Sequence, residues 1–288
     1  MRASRPRAVD QGGRAVQAFY INLDGRTDRR AHMQACLGAL GLDAERVPAT
    51  APADIAPDLL ARHCDTSRDT WITPPELGAA LSHRRVWQAV LDRDLPGALV
   101  LEDDVLLSPR LPPALPRLAG ALADIDLLRI ETRRRDYVLG RATHALPDGL
   151  TLHPPGSFEW GAAGYLVSRA GAELLLSAPE PFARPVDNLM FDPRGPLFAR
   201  LRILQVSPAL CTPRDADPDG CWSSDIQAGR SARVKQQWKQ RRRQRVQTGG
   251  ADPLRDAPWP RRLWRTVVAG QRRTVVPFAG PAPGVNTP

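Results

Sequence analysis

The sequence has few cysteines, few lysines and no long apolar run. Four of its 288 residues are cysteine, at positions 36, 64, 211 and 221, and no two of them form a CxxC pair. Neither a zinc site nor a secreted disulfide framework is therefore indicated. No apolar run reaches the length of a membrane span, and residues 1–17 lack the apolar core of a signal peptide. We therefore expect the body of the chain to remain in the cytoplasm.

Positive charge is concentrated at the C-terminus. The net charge is +9, but residues 226–288 contain 14 Lys or Arg and 2 Asp, which leaves a net charge of −3 for residues 1–225. Specific nucleic-acid binding is not expected, because no RNA-binding aromatic motif, zinc finger or helix-turn-helix pattern accompanies the basic tail. The predicted domains are a disordered basic arm (residues 1–17), a folded body (18–225) and a basic tail that contains tryptophan (226–288).

An apolar run that ends in three carboxylates has the clearest chemistry. Residues 97–101 read GALVL, and Glu102, Asp103 and Asp104 follow directly. The run predicts a strand buried on both faces, and ligands of open α/β sheets lie beyond the carboxyl ends of such strands. Adjacent carboxylates repel one another, so they indicate either a hard metal ion or a solvated acidic turn. In an extended chain Glu102 and Asp104 share a face and are the better candidate ligands.

An earlier strand leads into an arginine-rich turn. Residues 19–23 form a compact apolar run, and apolar residues recur at helical spacing from 33 to 40. Arg26, Arg29 and Arg30 lie between these segments. Guanidinium groups at a helix N-terminus suit a phosphate or an acidic sugar nucleotide, although arginines on an exposed helix are most often only solvated.

A further helix is predicted from its N-terminal sequence. Thr73 and Glu76 have the spacing of a capping box, two prolines stand between them, and the helix is expected to end near Asp94. His83 falls on the apolar face of this helix, which leads directly into the acidic strand. It therefore either packs in the core or reaches the carboxylates.

Strand and helix patterns alternate along the rest of the body. The other strand candidates are residues 45–50, 126–131, 161–167 and 201–206. A helix is predicted over residues 168–176, whereas residues 50–72 are interpreted as a connection and no element is predicted for the proline-rich segment 109–122. This alternation predicts an α/β fold with a mainly parallel sheet flanked by helices.

Five sequence blocks follow one another in a characteristic order. They are YINL with NLDGRTDRR, then ELGAALSH, VLEDDV, GAAGYLVSRAGAELLL and PVDNLM, and they cover about residues 18–210. In this order they resemble glycosyltransferase family 25, which comprises lipopolysaccharide and lipooligosaccharide glycosyltransferases and the collagen galactosyltransferases. Two positions depart from the family pattern, because Ala79 stands where cysteine is usual and Gly25 where a further arginine is common.

The resemblance implies a GT-A-like, Rossmann-like fold and an inverting glycosyltransferase. It also implies a UDP-sugar donor, typically UDP-galactose, and a divalent metal, Mn²⁺ or Mg²⁺. Glu102, Asp103 and Asp104 would occupy the metal and diphosphate motif. The donor-binding blocks contain Asn22, Arg26, Arg29, Arg30 and His83. The acceptor would be a glycan hydroxyl in lipopolysaccharide or cell-surface glycan synthesis.

The last block begins at Asp187. Inversion requires a carboxylate base that takes the proton of the acceptor hydroxyl, and Asp187 is our candidate. A helix N-cap and a second metal ligand are its alternative roles. Two other functions stay open from the residues alone: a metal-dependent phosphohydrolase, which would also place acids at a strand end, and a nucleic-acid-binding protein that uses the tail.

The basic tail mixes cations with tryptophan. Residues 230–245 hold eight cations and no acid, and residues 259–273 interleave Trp259, Trp264 and aliphatic residues with arginines. The first composition predicts disorder in solution, and the second is typical of segments that lie in a membrane interface. We expect the tail to bind anionic lipid at the cytoplasmic leaflet, beside a lipid-linked glycan acceptor.

Overall fold

The computed structural model describes residues 8–9, 15–68, 70–180, 182, 184–216 and 270–280. Its α-helices are α1 (Thr27–Leu40), α2 (Pro57–His63), α3 (Pro74–Asp92), α4 (Leu111–Ala121), α5 (Arg169–Leu176) and α6 (Val186–Phe191). The strands are β1 (Ala8–Val9), β2 (Ala15–Asn22), β3 (Glu45–Pro48), β4 (Gly97–Glu102), β5 (Val105–Leu107), β6 (Leu127–Arg129), β7 (Asp136–Leu139), β8 (His144–Ala145), β9 (Thr151–His153), β10 (Gly164–Ser168), β11 (Ile203–Ser207), β12 (Cys211–Pro213) and β13 (Arg272–Val275).

A nine-stranded sheet organises the molecule. Its strand order is β1-β2-β4-β10-β6-β11-β9-β8, with β3 also paired to β2. Strands β2, β3, β4, β6 and β11 run in one direction, and β10 lies antiparallel between β4 and β6. The predicted α/β fold with a mainly parallel direction is confirmed, although the sequence did not indicate that β10 is reversed.

Strand β4 is buried on both faces, as its continuous apolar run predicted. Leu99 and Leu101 pack in a core that includes residues of α1 and α4. Ala98 and Val100 pack in a second core, which includes residues of α3 and α5. Because both faces are covered, the chain can expose polar groups of β4 only where the strand ends, at the acidic motif.

The N-terminus of α3 has the predicted capping box. The Glu76 backbone N–H donates to Oγ1 of Thr73 at 3.4 Å, and the Thr73 backbone N–H donates to Oε2 of Glu76 at 2.9 Å. This reciprocal pair satisfies backbone donors that have no partner within the helix. It fixes the start of the helix that carries His83.

Two helices occupy proline-rich segments for which the sequence predicted no helix, which corrects the interpretation of residues 50–72 as a connection. Helix α2 begins with Pro57, and α4 has prolines in its first turn. The first-turn N–H groups of a helix have no intrahelical acceptor, so proline is tolerated there. In α4 the residues Leu111, Leu115 and Leu118 are buried at helical spacing, which shows why the segment is helical in spite of its prolines.

The folded body extends beyond both predicted boundaries. Strand β2 begins at Ala15, within the arm predicted to be disordered, and β1 pairs with it. Strand β13, placed in the tail by the sequence, pairs with β7 and is followed by Val276, which is 1% exposed. The other tail positions, 226–269 and 281–288, lie outside the described residues and include all three tail tryptophans, at positions 238, 259 and 264. Within the described ranges, no helix is long and apolar enough to cross a membrane.

Candidate active site

The three carboxylates lie at the carboxyl end of β4, between β2 and β10. Glu102 is the last residue of the strand and is partly exposed, whereas Asp103 and Asp104 form the turn that leads to β5. The Arg214 backbone N–H, which follows β12, donates to the Asp104 carbonyl at 2.7 Å. The motif therefore lies at the carboxyl end of a central strand, where the turn from β4 to β5 contacts the segment that follows β12.

The side chains of Asn22 and Arg29 orient the two aspartates. Asn22 Nδ2 donates to Asp103 Oδ2 at 2.7 Å, and Arg29 Nη1 lies 3.1 Å from both Asp103 Oδ1 and Asp104 Oδ2. Both oxygens of Asp103 are thus engaged by neighbouring side chains. Asn22 is itself held by Arg46, whose Nε donates to its Oδ1 at 2.9 Å. One arginine compensates only part of the negative charge of the motif.

The remaining negative charge disfavours the ionised form of the Asp104 carboxyl when no cation compensates it. Burial, and then the charge of Glu102, raises the pKa of Asp104 to about 7. Its Oδ1 is buried and has no hydrogen-bond partner among the described residues. A buried carboxylate oxygen without a donor fits a cation, which would supply the missing compensation. Among the described residues, however, no three His, Cys, Asp or Glu side chains form a ready-made metal site.

A chain of hydrogen bonds between buried side chains connects Trp87 to Glu102. Trp87 Nε1 donates to the Tyr165 hydroxyl at 2.9 Å, and this hydroxyl lies 2.9 Å from Nδ1 of His83. His83 Nε2 lies 3.3 Å from Glu102 Oε1. Because the indole N–H donates to the tyrosine oxygen, we assign the tyrosine O–H as the donor to Nδ1, and the N–H of the neutral imidazole is then at Nε2, facing Glu102. His83 is buried and orients a carboxylate of the motif.

Two cavities adjoin at the acidic motif. The first, of about 180 Å³, has mostly apolar walls that include Ile21, Leu23, Ala49, Pro52 and Pro75. The second, of about 80 Å³, has walls that include Glu76, Arg133, Gly161, Asp187 and Asp215. We call them the apolar cavity and the polar cavity. The residues common to both are Ala79, Glu102 and Asp104.

Asp187 lies in the wall of the polar cavity, in the first turn of α6. Its Oδ2 accepts a hydrogen bond from the Gly161 backbone N–H at 3.1 Å, and its Oδ1 accepts one from the Asn188 N–H at 2.8 Å. The N-cap position of this helix is Pro185. The alternative in which Asp187 is the N-cap is therefore wrong.

The arginine-rich turn is only partly directed at the motif. Arg29 reaches it, but Arg26 pairs with Asp28 at 3.0 Å and Arg30 is exposed on α1. Neither Arg26 nor Arg30 is among the residues that line the two cavities. The structure thus brings three of the five predicted donor residues, Asn22, Arg29 and His83, to the carboxylates.

A buried ionic network beneath the polar cavity was not predicted. The fully buried Arg129 guanidinium donates to the carbonyls of Glu159 and Trp160, both at 2.8 Å. Glu131 Oε2 accepts a hydrogen bond from the Ala163 N–H at 2.9 Å, and burial raises the pKa of Glu131 to about 7. These contacts fix the loop that contains Gly161. The sequence signal was present, because Arg129 and Glu131 are charged residues within an apolar strand pattern.

The polar cavity also contains an ion pair that the sequence did not reveal. Arg133 Nη2 donates to both Asp215 oxygens at 2.8 Å. Arg133 follows β6, whereas Asp215 follows β12, so 82 residues separate the two side chains along the chain. No local pattern connects them.

Comparison with known proteins identifies the family. Residues 15–190, more than half of the chain, match the family described as glycosyltransferase family 25 (LPS biosynthesis protein). The lacto-N-neotetraose biosynthesis glycosyltransferase LgtE of Neisseria meningitidis serogroup B is 29% identical over 224 residues, which cover 68% of this chain and 74% of LgtE. Procollagen galactosyltransferase 1 of Danio rerio is 29% identical over 199 residues, 64% of this chain and 32% of that protein.

A solved structure is also similar. The crystal structure of a glycosyltransferase involved in the glycosylation of the major capsid of PBCV-1 is 13% identical, with a TM-score of 0.37, and the match covers 78% of this chain and 97% of that one. The family match is independent of this similarity and includes the acidic motif, His83 and Asp187. The chain belongs to glycosyltransferase family 25 and is a glycosyltransferase.

Proposed function

We propose that the chain is a metal-dependent, inverting galactosyltransferase that uses UDP-galactose and a glycan hydroxyl. The observation that carries this proposal is the position of Glu102 and Asp104, which belong to the walls of both cavities. Carboxylates at such a junction can serve a donor in one cavity and an acceptor in the other. Galactose is the sugar named for the procollagen galactosyltransferase relative, and the family description names LPS biosynthesis.

Glu102 and Asp104 are the residues that would hold Mn²⁺ or Mg²⁺. Their two carboxylates suit a hard cation. Such a cation would supply Lewis-acid stabilisation of the charge of the leaving nucleoside diphosphate. Asp103 has both oxygens bound by Asn22 and Arg29, so its role is to fix the turn.

The apolar cavity is the proposed site of the donor nucleoside. Ile21, Leu23 and the prolines offer apolar contacts for a base, while Thr50 in the same wall offers a hydroxyl group. Arg29 lies in this wall beside the aspartates, where a guanidinium group can contact the diphosphate. Arg26 and Arg30 are not part of the proposal, since their side chains lie away from the cavity.

Asp187 is the proposed base in the polar cavity. Asp187 is 5% exposed and its carboxylate is positioned by the Gly161 N–H, so it is fixed where an acceptor hydroxyl can donate its proton. The acceptor oxygen then attacks the anomeric carbon as the bond to the diphosphate breaks, and the electron pair of that bond leaves with UDP. Inversion follows because attack and departure occur on opposite faces of the sugar.

We further propose that the acceptor is lipid-linked and that the tail binds the cytoplasmic face of the membrane. The support is the sequence alone, since the cations of residues 230–245 and the tryptophans at positions 259 and 264 lie outside the described residues. Polybasic segments gain about 1 kcal/mol per cation near an anionic bilayer. This placement would bring the active site to a lipid-linked glycan.

The test is a panel of sugar nucleotides incubated with manganese and no acceptor. Slow hydrolysis to UDP and free galactose, removed by EDTA and restored by manganese, is the expected result. A phosphohydrolase would instead release UMP and galactose 1-phosphate, which chromatography separates from UDP. Hydrolysis that persists in EDTA would reject the metal, and preferential hydrolysis of another sugar nucleotide would reject the donor.

A further inference from the structure

The polar cavity contains more than the proposed base. Arg133 and Asp215 form part of its wall together with Asp187, and neither belongs to the wall of the apolar cavity. If the base must touch the acceptor hydroxyl, then a side chain that shares this cavity is close to the acceptor. The ion pair is therefore a candidate for contact with the acceptor sugar.

The pair is fixed from both sides. The Arg133 backbone N–H donates to Glu159 Oε1 at 3.2 Å, and the hydroxyl of the preceding residue, Thr132, donates to the Val276 carbonyl at 2.7 Å. On the other side, Asp215 follows Arg214, whose backbone N–H is bound to the Asp104 carbonyl. The Arg133 and Asp215 side chains are 19% and 15% exposed. Groups held in this way bind a ligand with little loss of conformational entropy.

The charges of the pair favour a neutral ligand. The two opposite charges are 2.8 Å apart and cancel, so the pair presents hydrogen-bond donors and acceptors without a net charge. The cavity wall also contains the carboxylates of Glu76, Glu102 and Asp187, and their negative charge disfavours binding of an anionic acceptor. A fork of N–H donors beside a carboxylate matches adjacent hydroxyl groups, which both donate and accept hydrogen bonds.

The pair also lies partly outside the region shared with the family. The family match ends at residue 190, so it includes Glu102 and Asp187 but not Asp215. The residues that we assign to the reaction are thus within the matched region, and Asp215 is beyond it. Acceptor recognition is the part of a glycosyltransferase that can differ while the reaction is retained.

We propose that Arg133 and Asp215 form the acceptor subsite and bind adjacent hydroxyl groups of an acceptor pyranose. This inference rests on the proposed transfer reaction and specifies where its second substrate binds. Arg133 donates N–H groups to a sugar oxygen, while Asp215 accepts a hydrogen bond from the neighbouring hydroxyl.

The test compares transfer with hydrolysis in the full chain. Transfer from UDP-galactose to the methyl β-glycosides of glucose, galactose and N-acetylglucosamine is measured beside hydrolysis of the donor without acceptor. Asp215→Asn is expected to raise the acceptor KM about tenfold or more, since a hydrogen bond to a charged group is lost. The ratio of transfer to hydrolysis at low acceptor concentration should fall by the same factor.

Two further variants separate recognition from charge and from folding. Arg133→Lys keeps the positive charge but lacks the planar fork, so its acceptor KM should also be higher than that of the wild type. Glu45→Gln removes a partner of Arg93 in an ion pair outside both cavities, and it should leave the ratio of transfer to hydrolysis unchanged. Thermal melting of each variant identifies any loss of folding.

Four outcomes would overturn the subsite. They are an unchanged acceptor KM in Asp215→Asn, a parallel fall of transfer and hydrolysis, a loss of manganese affinity in this variant, and a wild-type enzyme that hydrolyses the donor but accepts none of the three glycosides. Loss of manganese affinity would make Asp215 part of the metal site. A wild-type chain that hydrolyses no sugar nucleotide would instead reject the proposed function itself.

Discussion

Replacing Gly161 with alanine is expected to damage both the fold and the wall of the polar cavity. The φ angle of Gly161 is +109°, a conformation that costs a residue with a Cβ about 1–3 kcal/mol. The added Cβ would also lie 2.2 Å from Oε1 of Glu131. Glu131 cannot move freely, because it is buried and its Oε2 is bound by the Ala163 N–H. Overpacking at such a site costs a further ~1–3 kcal/mol.

Urea denaturation measures the combined effect. The free energy of unfolding of Gly161→Ala is expected to fall by about 2–6 kcal/mol. Gly149→Ala is the matched control, since Gly149 has a φ of +77° but no atom within 4 Å of an added Cβ. It should lose only about 1–2 kcal/mol. Equal losses in the two variants would refute the clash with Glu131.

The same substitution has a consequence for catalysis. The Gly161 N–H holds the Asp187 carboxylate, so a shift of this loop displaces the proposed base. Donor turnover in Gly161→Ala should fall at temperatures well below its melting transition. Glu131→Asp shortens the side chain that meets the new Cβ, and the double variant should be more stable than the sum of the single effects predicts. If the two changes in the free energy of unfolding simply add, the destabilisation by Gly161→Ala does not come from contact with Glu131.

Other substitutions test the metal ligands, the base and the tail. Asp104→Asn and Glu102→Gln should abolish transfer by lowering manganese affinity, with melting temperatures near that of the surface control Asp124→Asn; unchanged metal-dependent turnover would reject the assignment. Asp187→Asn should keep manganese affinity while turnover falls about 10²-fold or more, whereas a loss of manganese binding would make it a ligand. Vesicles that contain anionic lipid should sediment the full chain at low salt, and glutamine at the four arginines of residues 241–245 should weaken this binding; equal sedimentation would refute it.

The tail prediction depends on where the body ends. Truncation near residue 226 would also remove β13 and Val276, which pack against the body, and it would therefore change the fold together with the charge. Glutamine substitutions change the charge alone. The sequence could not indicate this packing, because β13 pairs with β7 across more than 130 residues and its composition resembles the rest of the basic tail.

Local patterns were sufficient where the structure is determined locally. The apolar run of β4 and the capping box of α3 were both predicted at nearly their observed bounds, since each depends on residues a few positions apart. The acidic motif followed from the end of β4. The reversed strand β10 could not be predicted in the same way, because its periodicity does not reveal the direction in which it pairs.

The sequence predicted the part of the site that adjoins β4, together with Asp187 on α6. Asn22, Arg29 and His83 come from blocks that resemble the family, and all three contact the acidic motif. Arg30 belongs to the same block but is exposed, because successive residues of a helix point in different directions. The arginine spacing could not show which guanidinium group faces the sheet.

Some residues of the polar cavity lie within the region that matches the family and others lie beyond it, and this limits what the family match implies about the acceptor. Glu102 and Asp187 lie within the matched residues 15–190, so family membership is informative about the reaction. Asp215 lies beyond that region and pairs with Arg133 across 82 residues. Exchange of the segment after β11 between relatives should therefore alter acceptor choice, whereas exchange of the residues around Glu102 should alter the reaction itself. The acceptor of this enzyme is thus better sought in the contacts of Asp215 than in the names of its relatives.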